Sequence, residues 1–142
     1  MTTTLTPYIN LRGTAREAMD FYQSVFGGEL TRSTFGEFGM VPEGADASAA
    51  DLVMHSQLVT PGGPVLSVSD TPDPAQVPTD SFIQIALAGA AEDAEELRGW
   101  FEKLSSTGTV TLPLDQAPWG AFFGMCRDGW GVDWMVNIEA AA

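Results

Sequence analysis

Cationic side chains are scarce in this chain: six Lys and Arg stand against 19 Asp and Glu, giving a formal net charge of −13 over 142 residues. Nucleic-acid backbones and anionic membrane surfaces are held by clustered cations, so the composition argues against both as partners. Acidity bears on solubility and carries no information about the fold. Cysteine occurs once, at Cys126, so no intrachain disulfide can form and a reducing compartment is expected. Cys126 lies in an apolar stretch, and free cysteines are mostly buried, so it reads as a small core residue rather than a reactive thiol. No run approaches the roughly 20 apolar residues of a membrane span. The opening Met1-Thr2-Thr3-Thr4-Leu5 has neither a basic nor an apolar segment, so no secretory signal is expected and the protein is read as cytoplasmic. No G-x-G-x-x-G and no P-loop occurs. Histidine also occurs once, at His55, and no nucleophile–base–orienter order is visible around it.

Apolar residues make up 44% of the chain, enough for one compact domain or two small modules sharing a core. The pattern begins with a short strand over residues 5–11. Thr14 and Glu17 form a T-x-x-E capping box, and Ala18, Phe21, Tyr22, Val25 and Phe26 recur at helical spacing behind it. Phe21 and Phe26 are expected in the core. Gly27-Gly28 stops that helix, since glycine takes the left-handed conformation without penalty. A strand over 29–38, a Gly- and Ala-rich loop over 39–50, and a hairpin of 52–59 with 65–69 about Pro61-Gly62-Gly63-Pro64 follow. Residues 71–80 hold Pro72, Pro74 and Pro78 and read as a linker. The order then repeats: a strand over 82–87, a helix over 92–105 with acids in its first turn, the breaker Gly108, and strands over 110–114, 121–125 and 132–137. The last two strands turn back at Asp128-Gly129. The expected fold is α+β, a βαβββ unit made twice.

The opening Pro7-Tyr8-Ile9-Asn10-Leu11, the helix Glu17-Ala18-Met19-Asp20-Phe21-Tyr22-Gln23-Ser24-Val25-Phe26-Gly27-Gly28, and the hairpin residues Val53–Ser56 and Leu66–Asp70 resemble PhnB-like proteins of the vicinal oxygen chelate superfamily, the glyoxalase and bleomycin-resistance group. The closing run from Trp119-Gly120 through Phe123-Gly124 to Gly131-Val132-Asp133-Trp134-Met135-Val136-Asn137 resembles that family's end. The resemblance covers nearly the whole chain, and it implies a single glyoxalase-like domain over 1–142. Modules 5–70 and 81–138 are joined by the linker, and their sheets curl into a cup. It also implies a homodimer and a small-molecule ligand. The ubiquinone methyltransferase name attached to many PhnB-like sequences finds no glycine-rich strand-to-helix turn here.

Metal enzymes of the superfamily take His, Gln or Glu from four strands, the last of them usually a glutamate. At the matching positions this chain places Thr6 or Tyr8, Ser67 or Ser69, Phe82, and Met135. Strand parity puts Gln84 on the face of Phe82. No metal and no cofactor is therefore expected; a divalent metal enters only under the alternative of a lyase, isomerase or dioxygenase with non-standard ligands including His55. The ligand pocket is expected at Tyr8, His55, Ser67, Phe82, Gln84, Trp119 and Met135. His55 is the one catalytic candidate, as ligand or general base, against a reading as a pocket-lining or structural ring. It shares a face with Gln57, and the pattern leaves open whether that face looks into the cup. Asp70 reads as a turn or cap carboxylate, and Met40 as part of a lid. Trp119, Trp130 and Trp134 read as packing residues, with Trp119, in a loop, the one best placed to contact a ligand.

Overall fold

The computed structural model describes residues 4–72 and 82–141. It divides into two compact units, Met1–Thr79 and Asp80–Ala142. Most of the expected linker, and Ser81 at the start of the second module, lie outside the described residues.

The first unit runs β1 (Tyr8–Leu11), α1 (Ala15–Phe26), β2 (Glu29–Thr34), β3 (Val53–Val59) and β4 (Val65–Asp70). Its four strands stand in the order β1-β4-β3-β2, with β1 parallel to β4 and the other pairs antiparallel. Helix α1 packs on β3 and β4 and buries Ala15, Ala18, Met19, Tyr22 and Val25. Against it stand Leu11, Leu66, Val68 and Leu58, all buried. Ser56 lies in the same row as Val68, and its hydroxyl donates to the Val68 carbonyl, so this buried polar group is satisfied. The expected stripe is off by part of a turn. Phe21 and Phe26 are only half-buried, and Met19 and Ala15 take the core positions instead.

The capping box does not form. Thr14 has φ −111° and ψ 13°, away from the extended cap conformation, and its side chain makes no cap bond. Asp70, four per cent exposed at the end of β4, does that work from a distance. One carboxylate oxygen accepts the N–H groups of Gly13 at 2.8 Å and Ala15 at 3.0 Å, and the other accepts that of Val53 at 3.0 Å. A buried carboxylate fixed by tertiary structure outcompetes an exposed local hydroxyl, because its hydrogen bonds are charge-assisted. Gly27 ends the helix at φ 72°, as expected from the Gly27-Gly28 pair. Strand β2 is shorter than residues 29–38, because the register with β3 shifts between Ser33 and Thr34 and the chain turns away after Thr34.

The second unit runs β5 (Ile85–Gly89), α2 (Ala94–Ser106), β6 (Thr109–Gln116), β7 (Phe122–Arg127) and β8 (Asp133–Ile138). Its order is β5-β8-β7-β6, with β5 parallel to β8. This is the first unit's topology over again, so the expected repetition is present. Helix α2 buries Leu97, Phe101 and Leu104 on the sheet side that carries Trp134, Val136, Ile138 and Cys126. A single 3-10 turn, Ala91–Asp93, precedes it. Strand β5 starts at Ile85 rather than at 82. Strand β6 is longer than expected and accommodates Pro113, as an edge strand can. At the expected β7–β8 turn, Asp128 accepts the N–H groups of Trp130 at 2.9 Å and Val132 at 3.1 Å through one oxygen, and the Trp134 indole N–H at 2.8 Å through the other.

One joint recurs in both units. Gly28, at φ 101°, leads from α1 into β2, and a Cβ there would sit 2.1 Å from the Val59 carbonyl oxygen at the end of β3. Gly108 leads from α2 into β6, and a Cβ there would sit 2.0 Å from the Arg127 carbonyl oxygen at the end of β7.

Candidate functional site

In each unit the helix covers one face of the sheet, and the register identifies the side chains of the other. In the first unit Tyr8 pairs with Ser67, Ser67 with Gln57, and Gln57 with Thr31. These four residues form one rung across β1, β4, β3 and β2 on the helix-free face. His55 lies two residues before Gln57 and pairs with Ser33, so it shares that face. This settles the orientation that the sequence left open within the unit: His55 points away from α1. The Tyr8 hydroxyl and His55 Nδ1 are 3.2 Å apart, and the two rings stack at 5.8 Å with an interplanar angle of 25°. Beside them the Ser69 hydroxyl donates to Asn10 Oδ1 at 3.1 Å. Each of these residues carries a hydrogen-bonding group, and the row Val59–Val65 beside them is apolar.

The corresponding rung of the second unit is Ala86–Met135–Met125–Leu112. It carries two thioethers, a methyl and an isobutyl group, and no hydrogen-bond donor. Phe123 shares the face through its pairing with Asn137, and the exposed Trp119 ring meets Phe123 edge-on at 6.3 Å. Gln84 lies just before β5 and approaches Met125 Sδ with its amide nitrogen at 3.1 Å. Two residues along β7 and β8, Arg127 and Asp133 form a two-pronged ion pair at 2.8 and 3.1 Å.

Tyr8, His55 and Ser67 thus come together on one face, and Gln84, Trp119 and Met135 gather near another. Phe82 is a different matter: it is fully exposed and precedes the strand, and the residue facing Met135 is Ala86. The parity was sound, since 82, 84 and 86 alternate alike, but the strand starts later than its apolar residues indicate. Met40 is exposed in the loop after β2. Gln57, Thr31, Met125 and Phe123 belong to these faces and were not singled out in the sequence. Gln57 could have been found from its two-residue offset to His55, whereas Met125 needs the β7–β8 register.

The donors at the rung positions of β1, β4, β5 and β8 are a phenol, a serine hydroxyl, a methyl group and a thioether. This set does not fit a zinc, iron or manganese ion, which takes imidazole and carboxylate. Among the described residues no three His, Cys, Asp or Glu side chains are grouped to hold a metal, and no helix is long and apolar enough to cross a membrane.

Two mixed four-stranded sheets of identical topology, each backed by one helix, define the architecture of paired βαβββ modules. The chain belongs to the Glyoxalase/Bleomycin resistance protein/Dioxygenase superfamily, whose family model matches residues 10–136. Within it the chain is PhnB-like. It is similar to protein PA1353 from Pseudomonas aeruginosa, with 34% identity, 99% of this chain and 100% of that one covered, and a TM-score of 0.74. It is also similar to a PhnB protein from Bacillus cereus, at 25% identity, coverage of 96% and 100%, and a TM-score of 0.73. Protein YjdN of Escherichia coli (strain K12) is 26% identical, over 94% of each chain.

Proposed function

We propose that the protein binds a small, partly apolar metabolite or drug, without a metal, on the helix-free faces of its sheets. The observation that carries this reading is the open face of the first unit, where the Tyr8 and His55 rings stack beside the side chains of Ser67 and Gln57. Ligand sites combine apolar area with a few placed polar groups, and the two rings and their neighbours supply both kinds within one unit. The membership of the chain in a superfamily that includes bleomycin resistance proteins supports the reading. The reading takes the protein as a cytoplasmic homodimer, with the single buried thiol suited to a reducing compartment.

Elemental analysis tests it. Protein dialysed against zinc, manganese and nickel should retain no stoichiometric metal, because fewer than three good nitrogen or oxygen ligands bind such ions weakly. Metal retained at one equivalent, and lost on His55→Ala, would overturn the reading and promote a metal-dependent lyase, isomerase or dioxygenase built around His55. Installing a carboxylate alone, with Met135→Glu, should not create a site.

A further inference from the structure

We propose that Tyr8 holds a neutral His55 as its Nε2–H tautomer, and that Nε2–H, the Gln57 amide and the Ser67 hydroxyl together recognise an uncharged carboxamide or lactam on the ligand. This rests on the ligand-binding reading above and names the chemical class it selects.

The contact between the Tyr8 hydroxyl and His55 Nδ1 allows one donor and one acceptor. A phenol is the stronger proton donor and a neutral imidazole nitrogen the stronger acceptor, so the hydroxyl donates and Nδ1 accepts. The ring proton then sits on Nε2, fixed by a partner at the other nitrogen, as imidazole tautomers commonly are. Nε2 has no partner among the described residues, and neither have the Gln57 amide and the Ser67 hydroxyl. Of the other polar groups nearby, Ser69 is occupied with Asn10 and the Ser33 hydroxyl with the His55 carbonyl.

The unoccupied groups are neutral, and they offer both senses of hydrogen bond. Gln57 and Ser67 stand directly opposite one another, with His55 two residues along β3. A carboxamide presents one carbonyl acceptor and N–H donors. Its carbonyl can take Nε2–H, and its N–H can be accepted by the Gln57 side-chain carbonyl or the Ser67 oxygen. A carboxylate offers acceptors only, so it leaves the Gln57 side-chain carbonyl without a donor. Arg32 lies in the row of Ser56, on the other face, and is paired with Asp20. The chain's net charge of −13 opposes an anion further. Sites built to hydrogen-bond a group reject the analogue that leaves those bonds unmade.

Benzamide and benzoate share a shape and differ in charge and in donors, so they serve as probes of the full-length protein by NMR. The free protein's imidazole nitrogens should report Nε2 protonated and Nδ1 bare, and Tyr8→Phe should yield mixed tautomers. Benzamide should shift the His55 and Gln57 side-chain signals saturably, and benzoate should bind at least about tenfold more weakly, the size of one lost hydrogen bond. Gln57→Leu should cost benzamide a similar factor, whereas Gln57→Glu, which keeps an acceptor for the amide N–H, should retain benzamide binding. Protonated Nδ1 in the free protein, equal or tighter binding of benzoate, or unchanged benzamide affinity in Gln57→Leu would each overturn the proposal. If both probes shift only the Met125 and Met135 methyl signals, the proposal fails while the ligand-binding reading stands. If neither probe shifts either face, both fail.

Discussion

Burial, followed by the neighbouring carboxylates of Asp128 and Asp133, pushes the Cys126 thiol up from 9.0 to about 11. At neutral pH the side chain is therefore a thiol and not a thiolate, and it packs beside Trp134 as a small apolar group. In the unfolded chain the same thiol ionises at its ordinary value. Its folded value is raised, so its contribution to stability is complete below about pH 9 and drains away as pH climbs towards 11. Stability measured by urea unfolding should fall over that window, and Cys126→Ser should flatten this part of the slope. Iodoacetamide at pH 8 should leave the native thiol intact and alkylate it on unfolding. The burial of Cys126 was legible from its apolar neighbours in sequence. The two carboxylates that organise the units were legible only in part. Asp70 reads as a cap carboxylate, but that it caps a helix starting 55 residues earlier depends on β4 ending beside α1.

At the scale of elements, α1 shows why spacing alone leaves a phase error. The apolar stripe of the sequence is wide, with Met19 and Ala15 on one margin and Phe21 on the other, while Phe26 is the last residue of the helix. Which margin faces inwards depends on where the helix settles against β3 and β4, and Asp70 sets that from outside the helix. Met19 is fully buried and Phe21 half-buried. Met19→Ala should therefore cost about 2–5 kcal/mol, the usual range for a large core side chain, and Phe21→Ala distinctly less. Chemical denaturation of the two variants side by side checks this; a larger loss for Phe21→Ala would mean that the helix is rotated from its described position. The strands followed the same rule. Their existence and order were legible from alternation and turn residues, but β2, β5 and β6 begin or end where register shifts and edge positions dictate, and those arise between strands rather than within one.

At the scale of the whole molecule, the repeated βαβββ order was legible because each half has its own helix stripe, helix-stopping glycine and closing hairpin. The likeness of the two halves ends at the helix-free faces. The rung Tyr8–Ser67–Gln57–Thr31 and the rung Ala86–Met135–Met125–Leu112 occupy matching places with opposite chemistry, which no comparison of composition between the halves reveals. Each sheet is flanked by edge strands, β1 and β2 in one and β5 and β6 in the other. Exposed edges invite pairing, and proteins pair or cover them. Light scattering should accordingly return about twice the 15.1 kDa chain mass at working concentrations. A mass of one chain would count against the dimer and leave those edges to be protected by other means, as Pro113 already does for part of β6.

The recurring glycine joint has a consequence for how the two halves can drift apart. The two halves carry different side chains on their open faces, yet neither tolerates a side chain at the residue that joins its helix to the next strand. A methyl group at residue 28 or residue 108 would overlap a main-chain oxygen, and no rotamer relieves a clash with backbone. What the two halves share lies therefore less in what they display than in the empty volume they both keep, at the same corner, between a helix and the strand it feeds.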